Sequence, residues 1–172
     1  MSGGSAAAVL AGLRRRSETL ATAESLTGGL VGYLLTSVPG ASESYVGGVI
    51  SYATRLKSTL AGVDPTTLAE HGPVDARTAA DMAIGVCRTC DADWGLATTG
   101  VAGPDQQDGH PAGEVYVAVA HPVDGLVRVE ALRLIGDRQA IRDAAAVEAL
   151  ALLLSGLETL DGSPTANLPM ET

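Results

Sequence analysis

Lysine occurs once in this chain, at position 57, although the basic residues number 11. Phenylalanine is absent, tryptophan occurs once, and there are 2 cysteines and 3 histidines. These scarcities exclude whole classes of chemistry. Two cysteines cannot build a disulfide framework, so a reducing, cytoplasmic setting is expected. His71, His110 and His121 all fall in or beside turns, and none is placed to complete a histidine-based triad. No apolar run approaches the roughly 20 residues of a membrane-spanning helix. The start, Met1-Ser2-Gly3-Gly4-Ser5, lacks the charged segment and apolar stretch of a secretory signal. Positive charge is outweighed, 11 Lys plus Arg against 20 Asp plus Glu, for a formal net charge of −9. A surface of that sign repels polyanions, so neither nucleic acid nor membrane is an expected partner. The one basic run, Arg14-Arg15-Arg16, reads as the solvated face of a first helix.

What is present is enough for a core. The 172 residues are 46% apolar, which suits one domain with a sizeable interior. Residues 1–5 and 158–172 are expected to be flexible tails around a single domain of residues 6–157. Periodicity predicts helices over 6–16, 27–36, 54–61 and 65–70, and further helices opening at Asp75 and Asp137. Strands are predicted over 19–23, 45–52, 94–98, 115–120 and 127–131. Ala79, Met82, Ala83, Val86, Cys87 and Cys90 share one apolar face; Val147, Leu150, Ala151 and Leu154 share a side of the last helix. The last two strands, joined by His121–Gly125, read as an antiparallel hairpin with room for a bulge at Ala131–Leu132. Strands interleaved with helices give an α/β layered domain with a mixed sheet.

Four segments at strand ends carry polar chemistry. Thr22-Ala23-Glu24-Ser25-Leu26-Thr27-Gly28-Gly29 joins a strand to a helix. A helix start offers unpaired N–H groups and a positive dipole end, and two glycines let a ligand approach the backbone. The segment therefore suits an anion or a developing oxyanion. Ser25 and Thr27 both place a hydroxyl there, and one of them serves equally well as an N-cap. It is not a Walker loop, because the terminal Lys-Ser/Thr is missing. The second segment, Ser51–Lys57, runs off a strand into a short helix. With Thr54 as N-cap, Lys57 falls at the third helical position, where the dipole and partial burial both lower its pKa. A neutral lysine is a general base; an ordinary surface cation is the plain alternative. The lone lysine tilts this choice, since arginine serves wherever any cation works and only lysine can lose a proton.

The third segment, Ala97–Asp105, continues as a Gly/Pro loop to Gly113 and opens with Thr99 and Gly100 at a strand end, where α/β domains bind ligands. Its part from Asp105 to Pro111 reads as a flexible surface connection. The fourth, Gly136-Asp137-Arg138 with Arg142 one turn on, starts the last helix. Arg138 opposes the dipole there unless an anion such as phosphate binds, and a pair of surface arginines is the alternative. Cys87 and Cys90 have CxxC spacing, but they lie on an apolar face with no second pair, and read as core packing rather than zinc or redox ligands.

In one order over residues 6–157, six stretches resemble the C-terminal domain of the CinA (competence/damage-inducible) family: Ala23–Gly29, Val49–Lys57, Ala69–Val74, Thr99–Pro104, Gly113–Tyr116 and Gly136–Arg138. Leu26 stands where family members often carry Cys or another small residue, and Gln106–His110 is less glycine-rich than usual. The resemblance implies a three-layer α/β/α sandwich with a mixed, mostly parallel sheet. It also implies nicotinamide-nucleotide amidohydrolase activity, in which nicotinamide mononucleotide gives nicotinate mononucleotide and ammonia. On that reading Ser25 attacks the carboxamide carbon, Lys57 takes its proton and passes it to departing ammonia, and Tyr52 orients the lysine or its proton path. Backbone N–H groups near Gly28, Gly29 or Gly100, with the Thr99 hydroxyl, hold the oxyanion. Thr27 contacts substrate or is a rival nucleophile, and Arg138 and Arg142 hold the 5′-phosphate. Larger members carry an N-terminal, metal-dependent pyrophosphatase domain outside this match, so no metal and no cofactor is expected. A small pyridine nucleotide is the expected partner, and a homo-oligomer the expected assembly. The competing class is a CinA-like module that binds a nucleotide without hydrolysing it; a nucleic-acid-associated role is disfavoured by the charge.

Overall fold

The computed structural model describes residues 2–162. Five strands, β1 (Leu20–Glu24), β2 (Tyr45–Ile50), β3 (Trp94–Gly100), β4 (Glu114–His121) and β5 (Leu126–Arg133), form one sheet in the order β2-β1-β3-β4-β5. Six helices accompany them: α1 (Ser2–Arg16), α2 (Leu30–Thr36), α3 (Thr54–Thr59), α4 (Pro65–His71), α5 (Ala76–Cys90) and α6 (Arg138–Gly162). β1 runs parallel to β2 and β3, whereas β4 is antiparallel to β3 and β5. The sheet is mixed but not mostly parallel. The loop between β3 and β4 contains no crossover helix, so the chain returns antiparallel, and β4–β5 is the expected hairpin.

Strand alternation sorts the two faces by size. Leu20, Trp94, Leu96, Val115, Val117 and Val119 point to the face covered by α1, α2 and α6. Ala21, Ala23, Ala97, Ala118 and Ala120 point to the other, under Ala79, Met82, Ala83 and Val86 of α5. The small residues let α5 lie close: a Cβ on Gly85 or Gly95 would land on the carbonyl of Ala61 or Ala83. The three-layer α/β/α sandwich follows from these two cores.

Several local expectations change. Residues 2–5 belong to α1 and residues 158–162 to α6, so these parts of the expected tails are helical; Met1 and 163–172 lie outside the described residues. Arg16 donates to Asp161 at 2.8 Å, which ties the end of α1 to the end of α6. No bulge interrupts β5, where Ala131 pairs with Tyr116 and Leu132 with Val115 in unbroken register. β5 is a largely exposed edge strand, so burial does not force strict alternation on it. On α6 the buried arc is carried by Ile141, Ala145, Ala149, Leu150 and Leu153, while Ala151 is exposed and Val147 and Leu154 are half-buried. That helix is wedged between α1, α2 and the sheet, and small alanines permit the contact.

Because β1, β2 and β3 are parallel, their C-terminal ends lie together. Two hydrogen bonds extend the ladder past the strands: Ser25 N–H to Thr98 O at 3.0 Å and Ser51 N–H to Glu24 O at 2.8 Å. The segments singled out on chemical grounds meet at this edge.

Candidate active site

Glu24 ends β1 with its side chain turned inward, 2% exposed. Its carboxylate accepts from the N–H groups of Gly29 (2.9 Å), Val31 (3.1 Å) and Gly32 (2.8 Å), and from Thr27 Oγ1 (2.7 Å). The helix start that seemed open to a ligand anion is thus filled by the chain's own carboxylate. Gly28 and Gly29 adopt φ of 59° and 100°, which glycine tolerates, and α2 begins only at Leu30. The Gly28 N–H donates to Ser25 O at 3.0 Å. Thr27 is fully buried, and its hydroxyl lies between Glu24 and Thr98 Oγ1, the latter at 2.8 Å. Thr27, Gly28 and Gly29 are therefore withdrawn from substrate, oxyanion and nucleophile roles; they build the turn.

That turn leaves Ser25 at the floor of a cavity of about 280 Å³. Lys57, 2% exposed on α3, places Nζ 2.8 Å from Ser25 Oγ and 3.1 Å from Ser51 O. Ala53, not Thr54, precedes the first helical residue, so Lys57 is fourth in the helix rather than third. Loss of contact with water lowers its pKa from 10.5 to about 8. As an ammonium it donates to Ser25 Oγ; as a free amine it accepts the serine proton over the same distance.

The cavity wall is built from three further elements. Thr99 and Gly100 of β3 line it, but the Thr99 hydroxyl donates to Pro73 O at 2.5 Å and is already engaged. A Cβ on Gly100 would collide with Glu114 O and the Val115 backbone, so glycine here allows β3 and β4 to close. Arg138, the first residue of α6, reaches the mouth and donates from Nη1 to Gly103 O (2.7 Å) and from Nη2 to the Tyr52 hydroxyl (2.9 Å). Tyr52 is 61% exposed and makes no hydrogen bond to Lys57 among the described residues, so the geometry does not join it to the lysine. Arg142 does not line the cavity. Its Nε and Nη2 donate to Leu26 O (3.0 Å) and Thr27 O (2.9 Å), bracing the turn that carries Ser25.

Two features of the site lie outside the expectations from sequence. Glu24 is one, although a carboxylate just ahead of a Gly-Gly helix start is a recognisable cap signal. The other is Asp105, Gln106 and Gln107, which line the cavity instead of forming a free connection. Their loop is closed by paired backbone bonds between Gln107 and His110 and anchored by His110 Nδ1, 3.1 Å from Glu114. Nothing in the local sequence signals that anchor. Cys87 is buried, and burial pushes its thiol up to about 11, as expected of a core residue. Among the described residues no helix is long and apolar enough to cross a membrane, and no group of three His, Cys, Asp or Glu side chains could hold a metal ion.

Comparison with known proteins bears on the family and the fold. The profile of the CinA C-terminal domain matches residues 4–157. The chain is 50% identical over 165 residues to a CinA-like protein of Frankia casuarinae, covering 91% of this chain and 38% of that one. It is 43% identical over 163 residues to a CinA-like protein of Myxococcus xanthus, covering 92% and 38%. The chain thus spans little more than a third of the length of these relatives. Among solved structures, a CinA superfamily protein from Klebsiella pneumoniae superimposes with a TM-score of 0.87 at 30% identity, covering 92% of this chain and 99% of that one. A competence/damage inducible protein from Agrobacterium tumefaciens gives 0.86 at 31% identity, covering 91% and 95%.

Proposed function

This chain belongs to the CinA C-terminal domain family, and from that premise we propose that it hydrolyses the carboxamide of nicotinamide mononucleotide to give nicotinate mononucleotide and ammonia. The observation that carries the proposal is the buried Ser25–Lys57 pair, 2.8 Å apart at the floor of a cavity. Ser25 Oγ attacks the carboxamide carbon as Lys57 Nζ accepts its proton. The tetrahedral adduct collapses as Lys57 returns that proton to the leaving nitrogen, which departs as ammonia and leaves an ester on Ser25. Water, deprotonated by the neutral lysine, then attacks the ester carbonyl; the lysine returns that proton to Ser25 Oγ as the ester bond breaks, and the carboxylate product is freed. With the Gly28 and Gly29 amides engaged, the Leu26 N–H directly after the nucleophile is the oxyanion donor. Leu26 lines the cavity, and its N–H makes no hydrogen bond among the described residues. Arg138 at the mouth is the receptor for the 5′-phosphate. A guanidinium has five N–H donors, and Arg138 spends two within the protein.

The test is ammonia release from nicotinamide mononucleotide by the folded protein, with the carboxylate product identified by chromatography. Stoichiometric ammonia and nicotinate mononucleotide are expected. Nucleotide binding without ammonia release would replace this reading with that of a binding module.

A further inference from the structure

We propose that Tyr52 is a positioning residue for Arg138, and that the two form a clasp selecting phosphorylated over unphosphorylated pyridine amides. The inference rests on the amidohydrolase reading for its substrates but on different contacts. Three chain segments meet at the Arg138 guanidinium: the loop after β2 through the Tyr52 hydroxyl (2.9 Å), the β3–β4 loop through Gly103 O (2.7 Å), and the start of α6 through Arg138 itself. The two bonds use one donor on each terminal nitrogen and fix the plane of an otherwise exposed, flexible side chain. Three N–H donors remain for a ligand. Lys57 is held separately, by Ser25 and Ser51, and has no bond to Tyr52 among the described residues. Tyr52 therefore acts on where the substrate's anionic end sits and leaves the proton transfer at Ser25 untouched.

The experiment is steady-state kinetics of Tyr52→Phe with nicotinamide mononucleotide and with its dephosphorylated nucleoside. Tyr52 is exposed, so the variant keeps its fold. Loss of one hydrogen bond to a charged group raises KM for the nucleotide about tenfold. The value of kcat and the pH midpoint stay in place, and kcat/KM for the nucleoside changes less than about twofold. Arg138→Ala raises the nucleotide KM further, and adding Tyr52→Phe to it produces no additional loss. A fall in kcat with a displaced pH profile, equal losses on both substrates, or a full Tyr52→Phe effect in the Arg138→Ala background would each overturn the proposal. Should the wild type release no ammonia, the amidohydrolase reading fails by itself. The clasp is then judged from dissociation constants: a tenfold loss for the nucleotide alone supports it, and no selective loss overturns it.

Discussion

Replacing Lys57 by methionine should abolish turnover while making the protein more stable at neutral pH and less stable at high pH. Lys57 is 2% exposed and titrates at about 8 instead of 10.5 because burial disfavours its charge. A shift of that size corresponds to about 3 kcal/mol between the protonation states. The sign follows from proton counts. Between pH 8 and 10.5 the unfolded chain holds the lysine proton and the folded chain does not, so wild-type stability rises with pH through that window. Below pH 8 the full penalty applies, and above 10.5 it is gone. Methionine fills a similar volume and removes the penalty, but it also removes the bonds to Ser25 Oγ and Ser51 O, worth about 1 kcal/mol each. The variant should therefore be ahead by about 1 kcal/mol at pH 7, a few degrees in Tm, and behind by about 2 kcal/mol above the window.

Paired denaturant titrations of wild type and Lys57→Met at both ends of the window read this directly, because other titrating groups cancel in the difference. A stability difference that does not change with pH would refute the reasoning about burial. Activity gives the second arm. At pH 7 about a tenth of the lysines are neutral, against roughly one in 3,000 at the ordinary value, a roughly 300-fold larger fraction in the form a general base needs. Wild-type kcat/KM should rise with pH up to about 8 and then level. Lys57→Arg should be inactive throughout, and turnover by that variant would remove the lysine from the base role.

Ser25→Ala should reduce ammonia release by at least about 10³-fold and cost about 1 kcal/mol of stability with the lost bond to Lys57, while Thr27→Val should lower stability by about 1–3 kcal/mol because it takes one of four donors from Glu24 and leaves Thr98 Oγ1 without its partner. A Ser25→Ala enzyme that retains activity would reassign the nucleophile. Glu24→Gln replaces a buried acceptor of four hydrogen bonds with an amide that must turn N–H groups toward donors. A loss of about 1–3 kcal/mol is expected in thermal melts. Ser51→Ala deletes a buried hydroxyl that has no hydrogen-bond partner among the described residues and leaves the carbonyl that holds Lys57. Calorimetry should show stability equal to or higher than wild type by about 1 kcal/mol, with turnover retained.

The element order was legible because the core alternates cleanly: large residues mark one sheet face, alanines the other, and the hairpin is short. Ser25 and Lys57 were legible as well, since each follows a strand end and the strands turned out to be parallel neighbours. What could not be read was which polar group at each strand end turns inward. Local sequence places Glu24, Ser25 and Thr27 within one turn of each other; the bond to Thr98, 71 positions beyond Thr27, holds the threonine hydroxyl away from the cavity that Ser25 lines. Arg142 is similar. From position 142 alone a free cation and a brace look identical, and the brace exists because α6 packs beside the turn and meets the Leu26 and Thr27 carbonyls 116 and 115 positions upstream. The missing bulge in β5 and the misplaced face of α6 share this origin, because burial patterns are set by neighbours that local periodicity does not contain.

The single lysine can now be argued from its surroundings as well as from its scarcity. Two acceptors lie within reach of its nitrogen, Ser25 Oγ and Ser51 O. A neutral amine has two N–H donors and one lone pair. It can donate to the Ser51 carbonyl while the lone pair accepts the Ser25 hydroxyl, which is the arrangement a nucleophile needs from its base. An arginine in the same volume would bring five donors and a charge it cannot lose. With two acceptors present, three donors would stay buried and unpaired, each at about 1–3 kcal/mol. Arginine suits the clasp at Arg138 and the brace at Arg142, where permanent charge and a rigid fork are what hold the carbonyls. On the amidohydrolase reading the floor of the cavity requires a cation that can cease to be one, and burial supplies the shift that lets it do so near neutral pH.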